Sequence, residues 1–508
     1  MNPTSRTAAV VLTTLLWMAS ALSAQQTSAA SDVSATAGAA QNQSPAHGIS
    51  KVRIVRISET KGAANGEVQL DRDTGNGFEN AITNLPIVEG CKLRTGAGVA
   101  EVEFEDNSTL RLAPGSLVEF TQLELLPSGA KLSTMNVVKG VVYVSLTPTK
   151  GNRYTLTFGQ QKVQLQPSSH VRLTVDPGQA DAKLAVFDGE AQLESQAGVT
   201  DVDRKRTLTV PLEGQGQPVM AKNVKQEEFD SWDQSSAEYH KQFAGMSAVA
   251  SSPYSYGVSD LMYYGSFNNV GGCGQMWQPY FASASWSPFA NGTWAYYPGA
   301  GYSWVSPYPW GWMPFHYGSW AYCQGAGWGW QPGGVWNGLS NSPVVGGASP
   351  VTVNPPRPPI GVPRKGGSTL LSVDNKPLNV STLGPDRFIF RSDSAGMGIP
   401  RGSLGRLDKF STGVARHGTA STPVYFESTA MVARPGQMDG GRMAGPGAAP
   451  VTSTMRRGYA PAAGAAPSPM GEAGGFDLGQ RSAGMSAGTS TARSASGSTG
   501  SSGSGRPH

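Results

Sequence analysis

The sequence predicts a mainly β protein: a β-sandwich or roll, a short connecting helix, a tryptophan-rich set of β-meander repeats and a disordered C-terminal tail. Three observations carry that expectation. From Val52 to about Gln196, apolar residues recur with period two rather than the helical 3.6, in short runs separated by Gly, Asn, Asp and Pro. WSPFANGTWAYYPGAGYSWV from Trp286 and WMPFHYGSWAYCQGAGWGWQ from Trp312 agree at eleven of twenty positions, a register of 26 residues. Residues 433–508 consist largely of Gly, Ala, Ser, Pro and Met, a composition that cannot bury enough apolar surface to offset chain entropy.

The N-terminus reads as an export signal. Arg6 precedes a fifteen-residue apolar run, Ala8 to Leu22, shorter than the roughly 20 residues a spanning helix requires; small residues follow at Ser20, Ala21, Ser23 and Ala24. Residues 1–24 are therefore expected to be a signal peptide cleaved near Ala24, with an uncleaved anchor as the alternative, and 25–50 a flexible linker. No later stretch is apolar for eighteen residues, so no transmembrane span is expected in the mature chain, which is assigned to the periplasm, the cell surface or the medium. A net charge of +4 over 508 residues does not call for nucleic acid as a partner.

Residues 51–200 hold the strand pattern. In VAEVEFEDNSTLRL, Ala100, Val102 and Phe104 alternate with Glu101 and Glu103, and Leu110 and Leu112 alternate with Thr109 and Arg111, across a turn at Glu105-Asp106-Asn107-Ser108. One buried and one solvated face are expected, which explains Glu101 and Glu103 without catalysis. Further strands are expected at VVKGVVYVSL, RYTLTF, KVQLQ, HVRLTV and KLAVFDGEAQL. Residues 201–222 continue as linker or strand.

IVEGCKLRTGAGVAEVEFEDNSTLRLAPGSLVEF, VVKGVVYVSL and AVFDGEAQLES together resemble the FecR family of exported bacterial proteins. Cys91 stands where an acidic residue is common in that family, and the RGT-like stretch of many members is here Ser168-Ser169-His170-Val171-Arg172-Leu173. The resemblance implies a β-rich exported domain. It also raises envelope signal transduction, the role of well-known members, which carry a sigma-regulating arm ahead of a membrane helix. Only a few residues precede the apolar run here, so that arm is not expected.

Residues 223–245 are expected to form an amphipathic connecting helix, with Phe229, Trp232, Tyr239 and Phe243 on one face and acids ahead of Lys241 to suit the helix dipole. Residues 255–340 hold the repeats. YGSFNNVGGCGQMWQP from Tyr264 matches YGSWAYCQGAGWGWQP from Tyr317 at eight of sixteen positions, giving about three copies, and ten of the twelve tryptophans lie between Trp277 and Trp336. The segment is similar to the tryptophan-rich module of unknown function that often follows a FecR-like domain. Glycine and proline beside the aromatics exclude long helices and suit short strands joined by tight turns. Two readings of the rings stay open: core packing, or stacking platforms for sugars or peptides on a surface carrying Trp294, Tyr296, Trp304, Trp320, Tyr322 and Trp328.

Residues 341–367, with six prolines from Pro350 to Pro363, read as a semi-rigid linker, 368–432 as weakly ordered, and 433–508 as the disordered tail. A disulfide between Cys273 and Cys323 is permitted by export but not required by the repeat register, and Cys91 reads as a core thiol. The six histidines are scattered. GMSAG from Gly484 matches a nucleophile elbow only in letters. No metal, cofactor or catalytic residue is expected. The chain is read as a non-enzymatic envelope protein acting as an interaction or scaffold module toward an envelope protein or cell-wall glycan; signal transduction and glycan or peptidoglycan binding are the alternatives.

Overall fold

The computed structural model describes residues 52–61, 67–195, 198–213, 216–243, 255–336, 339, 344–346, 356–372 and 388–422. The expected signal peptide, the 25–50 linker and the 433–508 tail lie outside the described residues. The architecture is mostly β, as the period-two pattern requires.

Two sheets make the first domain. In one, the order runs Pro86–Ile87, Val55–Lys61, Val99–Glu103, Thr109–Leu112, the second half of Lys131–Ser145, His170–Val175, Asp181–Asp188, Arg206–Pro211 and Val219–Ala221, all antiparallel. The other runs Phe78–Asn80, Val68–Asp71, Lys92–Thr95, Leu117–Leu125, the first half of Lys131–Ser145, Arg153–Phe158, Gln161–Leu165, Glu190–Ser195 and Gly198–Asp203. Lys131–Ser145 therefore serves both sheets and must bend. The bend falls at Gly140, whose φ is 98° and where a Cβ would lie 2.3 Å from Ser116 Oγ, so only glycine lets the strand cross over. Val102, Phe104, Leu110, Leu112, Val142 and Leu173 fill the space between the sheets.

The repeats resolve into three hairpins: Gly265–Val270 with Gly274–Pro279, Thr293–Tyr297 with Gly301–Val305, and Tyr317–Cys323 with Gly327–Trp336. Each loop carries two glycines at positive φ, Gly272 and Gly274, Gly299 and Gly301, Gly325 and Gly327. Each pairs aromatics across the strands: Phe267 with Trp277, Trp294 with Trp304, Trp320 with Trp330. The first and third hairpins join edge to edge through Trp277 and Trp330, and the Cys273–Cys323 disulfide closes the same pair. The second hairpin instead takes Leu370–Ser372 as its third strand.

Four helices complete the description: α1 Asp230–Phe243, α2 Val258–Tyr264, α3 Trp312–His316 and α4 Leu407–His417. Helices α2 and α3 each lead directly into a hairpin, so a unit is helix plus hairpin in the first and third copies. Within the stretch expected to be weakly ordered, Phe388–Arg391 pairs with Thr419–Thr422, and α4 buries Leu407 and Val414 against the aromatic core. No helix among the described residues is long and apolar enough to cross a membrane.

Candidate functional site

Period two leaves Glu101, Glu103 and Arg111 on the face of the hairpin opposite its apolar core. The sequence reading places that face in solvent. The structure corrects it: Glu101, Glu103 and Arg111 are each 0% exposed, because α1, α2 and residues 399–404 cover the outer surface of the sheet. Charges buried in this way persist only when paired and hydrogen-bonded, and here they are.

Glu101 is the centre. One carboxylate oxygen accepts from Ser58 Oγ at 2.6 Å, His240 Nε2 at 2.8 Å and Arg401 Nη1, and the other from Arg111 Nε at 2.7 Å. Arg111 continues to Asp233 on α1 at 2.8 Å, and Asp233 meets His170 at 2.6 Å. Arg56 donates to Glu103 at 2.8 Å, to Asn84 Oδ1 at 2.9 Å and to Asp260 on α2. Glu103 also accepts the backbone N–H of Gly257, the N-cap of α2, at 3.0 Å. Asp260 lies in the first turn of α2, where the helix dipole favours an anion, and accepts from Tyr239 Oη and Arg401 at 2.9 Å each. The network thus joins the first domain, the connecting helix, the first repeat and the C-terminal arm.

Burial alone would raise both acids. For Glu101 it is outweighed by His240, Arg401 and Arg111, which hold the carboxyl well below its ordinary range. Asp260 is likewise held low against burial by Arg401 and Arg56. Ser259, His240 and Glu101 also fall in a row, with Ser259 Oγ 3.2 Å from His240 Nδ1. The order of ring nitrogens is the reverse of a serine–histidine–carboxylate relay, Glu101 is already bound by two guanidiniums, and Ser259 is 2% exposed. The arrangement holds elements together and offers no reacting group to a substrate. Among the described residues no group of three His, Cys, Asp or Glu side chains is placed to hold a metal.

Helix α1 docks differently from the sequence expectation. Its fully buried line is polar, Asp233, Ser236 and His240, while Phe229, Trp232, Tyr239 and Phe243 flank it half-buried. The stripe faces a charged sheet surface, so carboxylate and imidazole are the groups that fit there.

Of the six rings proposed as a recognition surface, Trp294, Trp304, Trp320 and Trp328 are buried, and Tyr296 and Tyr322 are half-buried. Trp294 packs edge-on to Trp304 at 5.2 Å, and Trp320 lies among Trp286, Trp310 and Phe315. They form no exposed row; the sheets and helices close over them. Trp310 is the most connected ring, stacked on Tyr308 at 4.9 Å, beside Trp277 at 4.7 Å and donating to the carbonyl of Ala395 at 2.6 Å. Cys91 is buried, its thiol pushed up to about 11 by burial, and remains unpaired as a core residue. Sequence reasoning missed Asp260, His240 and Arg401, which lie in separate segments with no motif spacing between them.

Further polar contacts join the modules. Asn84, which accepts from Arg56 in the junction, donates to the carbonyls of Ser306 and Tyr308, and beyond it Arg72 donates to that of Tyr296 and Tyr297 Oη to that of Pro86. The fold and site define a β domain and an aromatic repeat module sharing a buried ionic junction. Residues 92–192 match the family described as FecR protein, and 258–346 match a family of unknown function, DUF6600; the chain carries both domains. Two crystal structures from Parabacteroides distasonis ATCC 8503, at 1.65 and 2.50 Å and described provisionally as an anti-sigma factor, are similar at 14% identity and a TM-score of 0.24. The likeness covers 28% of this chain and 64% of the first, and 30% of this chain and 71% of the second; the chain thus spans under two thirds of the first relative's length. No curated protein matches.

Proposed function

We propose that this protein is a non-enzymatic signal-transduction component of the bacterial envelope, exported and working by protein contact. The observation that carries the reading is the FecR domain joined to the aromatic module through paired buried charges. Such a body transmits force or position between its surfaces as a unit, because breaking the junction strands charges in a low dielectric. The interaction role expected from the sequence becomes part of this reading, with the outer face of the second sheet, around exposed Thr121, as a contact surface.

The test is site-specific photo-crosslinking from position 121 of the full chain in its native cells. Crosslinks to a membrane-embedded regulator, with altered transcription when the protein is deleted, are expected. Crosslinks confined to cell-wall glycan would transfer the role to glycan binding and overturn signalling.

A further inference from the structure

One member of the junction arrives from far along the chain. Arg401 sits on a turn ahead of α4, followed by exposed Gly402 and Ser403, yet its side chain is 7% exposed. The guanidinium forks onto Asp260, Nε to Oδ1 at 2.9 Å and Nη2 to Oδ2 at 3.1 Å. Nη1 donates to Glu101, Nη2 also donates to the carbonyl of Ser58 at 3.2 Å, and the plane lies over the Tyr239 ring at 4.9 Å. A forked carboxylate, a second carboxylate, a carbonyl and an aromatic face are the features that separate guanidinium from ammonium recognition.

The receiving groups are positioned without Arg401. Asp260 is held by Arg56, Glu101 by Arg111 and Ser58, and Tyr239 by its place on α1. The rest of the arm docks through other contacts: Phe390 stacked on Phe281, Tyr264 Oη donating to the carbonyl of Ile399 at 2.6 Å, and buried Leu407 and Val414. Arg401 is thus an inserted key in a preorganised slot.

We propose that the junction is an arginine-recognition site, occupied in cis by Arg401, which makes residues 388–422 a clasp and which accepts an alkylguanidinium in trans when Arg401 is removed. The inference does not depend on the signalling reading. The experiment compares full-length wild type, Arg401→Ala and Arg401→Lys by thermal melting and by cleavage at Leu407 and Phe410 with chymotrypsin, a protease whose apolar specificity pocket does not bind the probe. N-ethylguanidinium is the probe, and ethylammonium at equal ionic strength is the control.

Arg401→Ala is expected to melt about 5 °C lower and to lose the arm to chymotrypsin several-fold faster. Roughly 10 mM N-ethylguanidinium should recover half of both losses while leaving wild type unmoved. Arg401→Lys, which fills the slot but cannot fork, should fall between the two and gain nothing from the probe. Equal shifts with ethylammonium, or equal shifts in wild type, overturn the proposal. Should Arg401→Ala fail to fold, Arg401→Lys decides alone: melting and cleavage equal to wild type would show that the slot does not select a guanidinium.

Discussion

Glu101→Gln is the sharpest perturbation of the junction, because it removes one charge and almost no volume. The carboxylate accepts from Ser58, His240 and Arg401 on one oxygen and from Arg111 on the other. A glutamine oxygen can replace one of these acceptors, but its amide nitrogen then faces a guanidinium donor, and Arg111 and Arg401 each lose a counter-charge. Removing one partner of a fully buried pair costs about 3–5 kcal/mol. Glu119→Gln is the internal control: Glu119 pairs with Lys92 at 3.1 Å, with side chains 28% and 45% exposed, and should cost under about 1 kcal/mol after solvent screening. Urea unfolding followed by tryptophan fluorescence and far-UV dichroism measures both. Since the network ties the β domain to the tryptophans, the two probes should coincide in wild type and separate in Glu101→Gln. Equal midpoints for the two variants, with coincident probes, would refute the view that this junction couples the modules.

Three further outcomes are expected. His316 is lowered to about 4 by burial, with Nδ1 donating to the Trp312 carbonyl at 2.8 Å. The unfolded chain therefore takes up this proton first: stability is complete above about pH 6.5, falls as pH drops and loses roughly 3 kcal/mol by about pH 4, where loss of Glu101 and Asp260 ionisation continues the decline. Urea midpoints between pH 8 and 4 should show a shallower slope in His316→Asn, and an unchanged slope would exclude His316 as the cause. Acrylamide should quench the native protein's tryptophan emission several-fold less than that of the urea-unfolded chain, since nine of the ten repeat tryptophans are buried; near-equal quenching would contradict the packing. Cys273→Ser with Cys323→Ser opens a crosslink spanning 50 residues and should cost about 2–4 kcal/mol, read as a lower melting temperature that matches reduced wild type.

Much of this protein was legible in one dimension because local rules dominate there. Alternation around Val102 and Leu110 marked a hairpin, and the glycine-spaced aromatics marked about three repeats of short strands and tight turns, expected as meanders and found as single hairpins, since strand period and turn chemistry depend on near neighbours. The family resemblance and the recurrence of Trp294 at Trp320 were equally visible. What alternation could not say was whether the second face of a strand meets water. Glu101, Glu103 and Arg111 have the spacing of a solvated edge and the burial of a core. That outcome depends on Asp233, His240, Asp260 and Arg401, up to 300 residues away along the chain, arriving with complementary charge.

Local pattern was enough to show a chain built from strands, a set of aromatic repeats with glycine turns, and the likeness to FecR that the family match bears out. Only the folded chain shows that nine of the ten repeat tryptophans are core, and that buried charge joins the modules on the outer face of the first sheet beside apolar contacts such as Ile54 in the aromatic cluster and Tyr297 in the β-domain core. The physical reason is that strand period is a property of neighbouring residues, whereas the cost of burying a charge is set by whatever distant group comes to meet it.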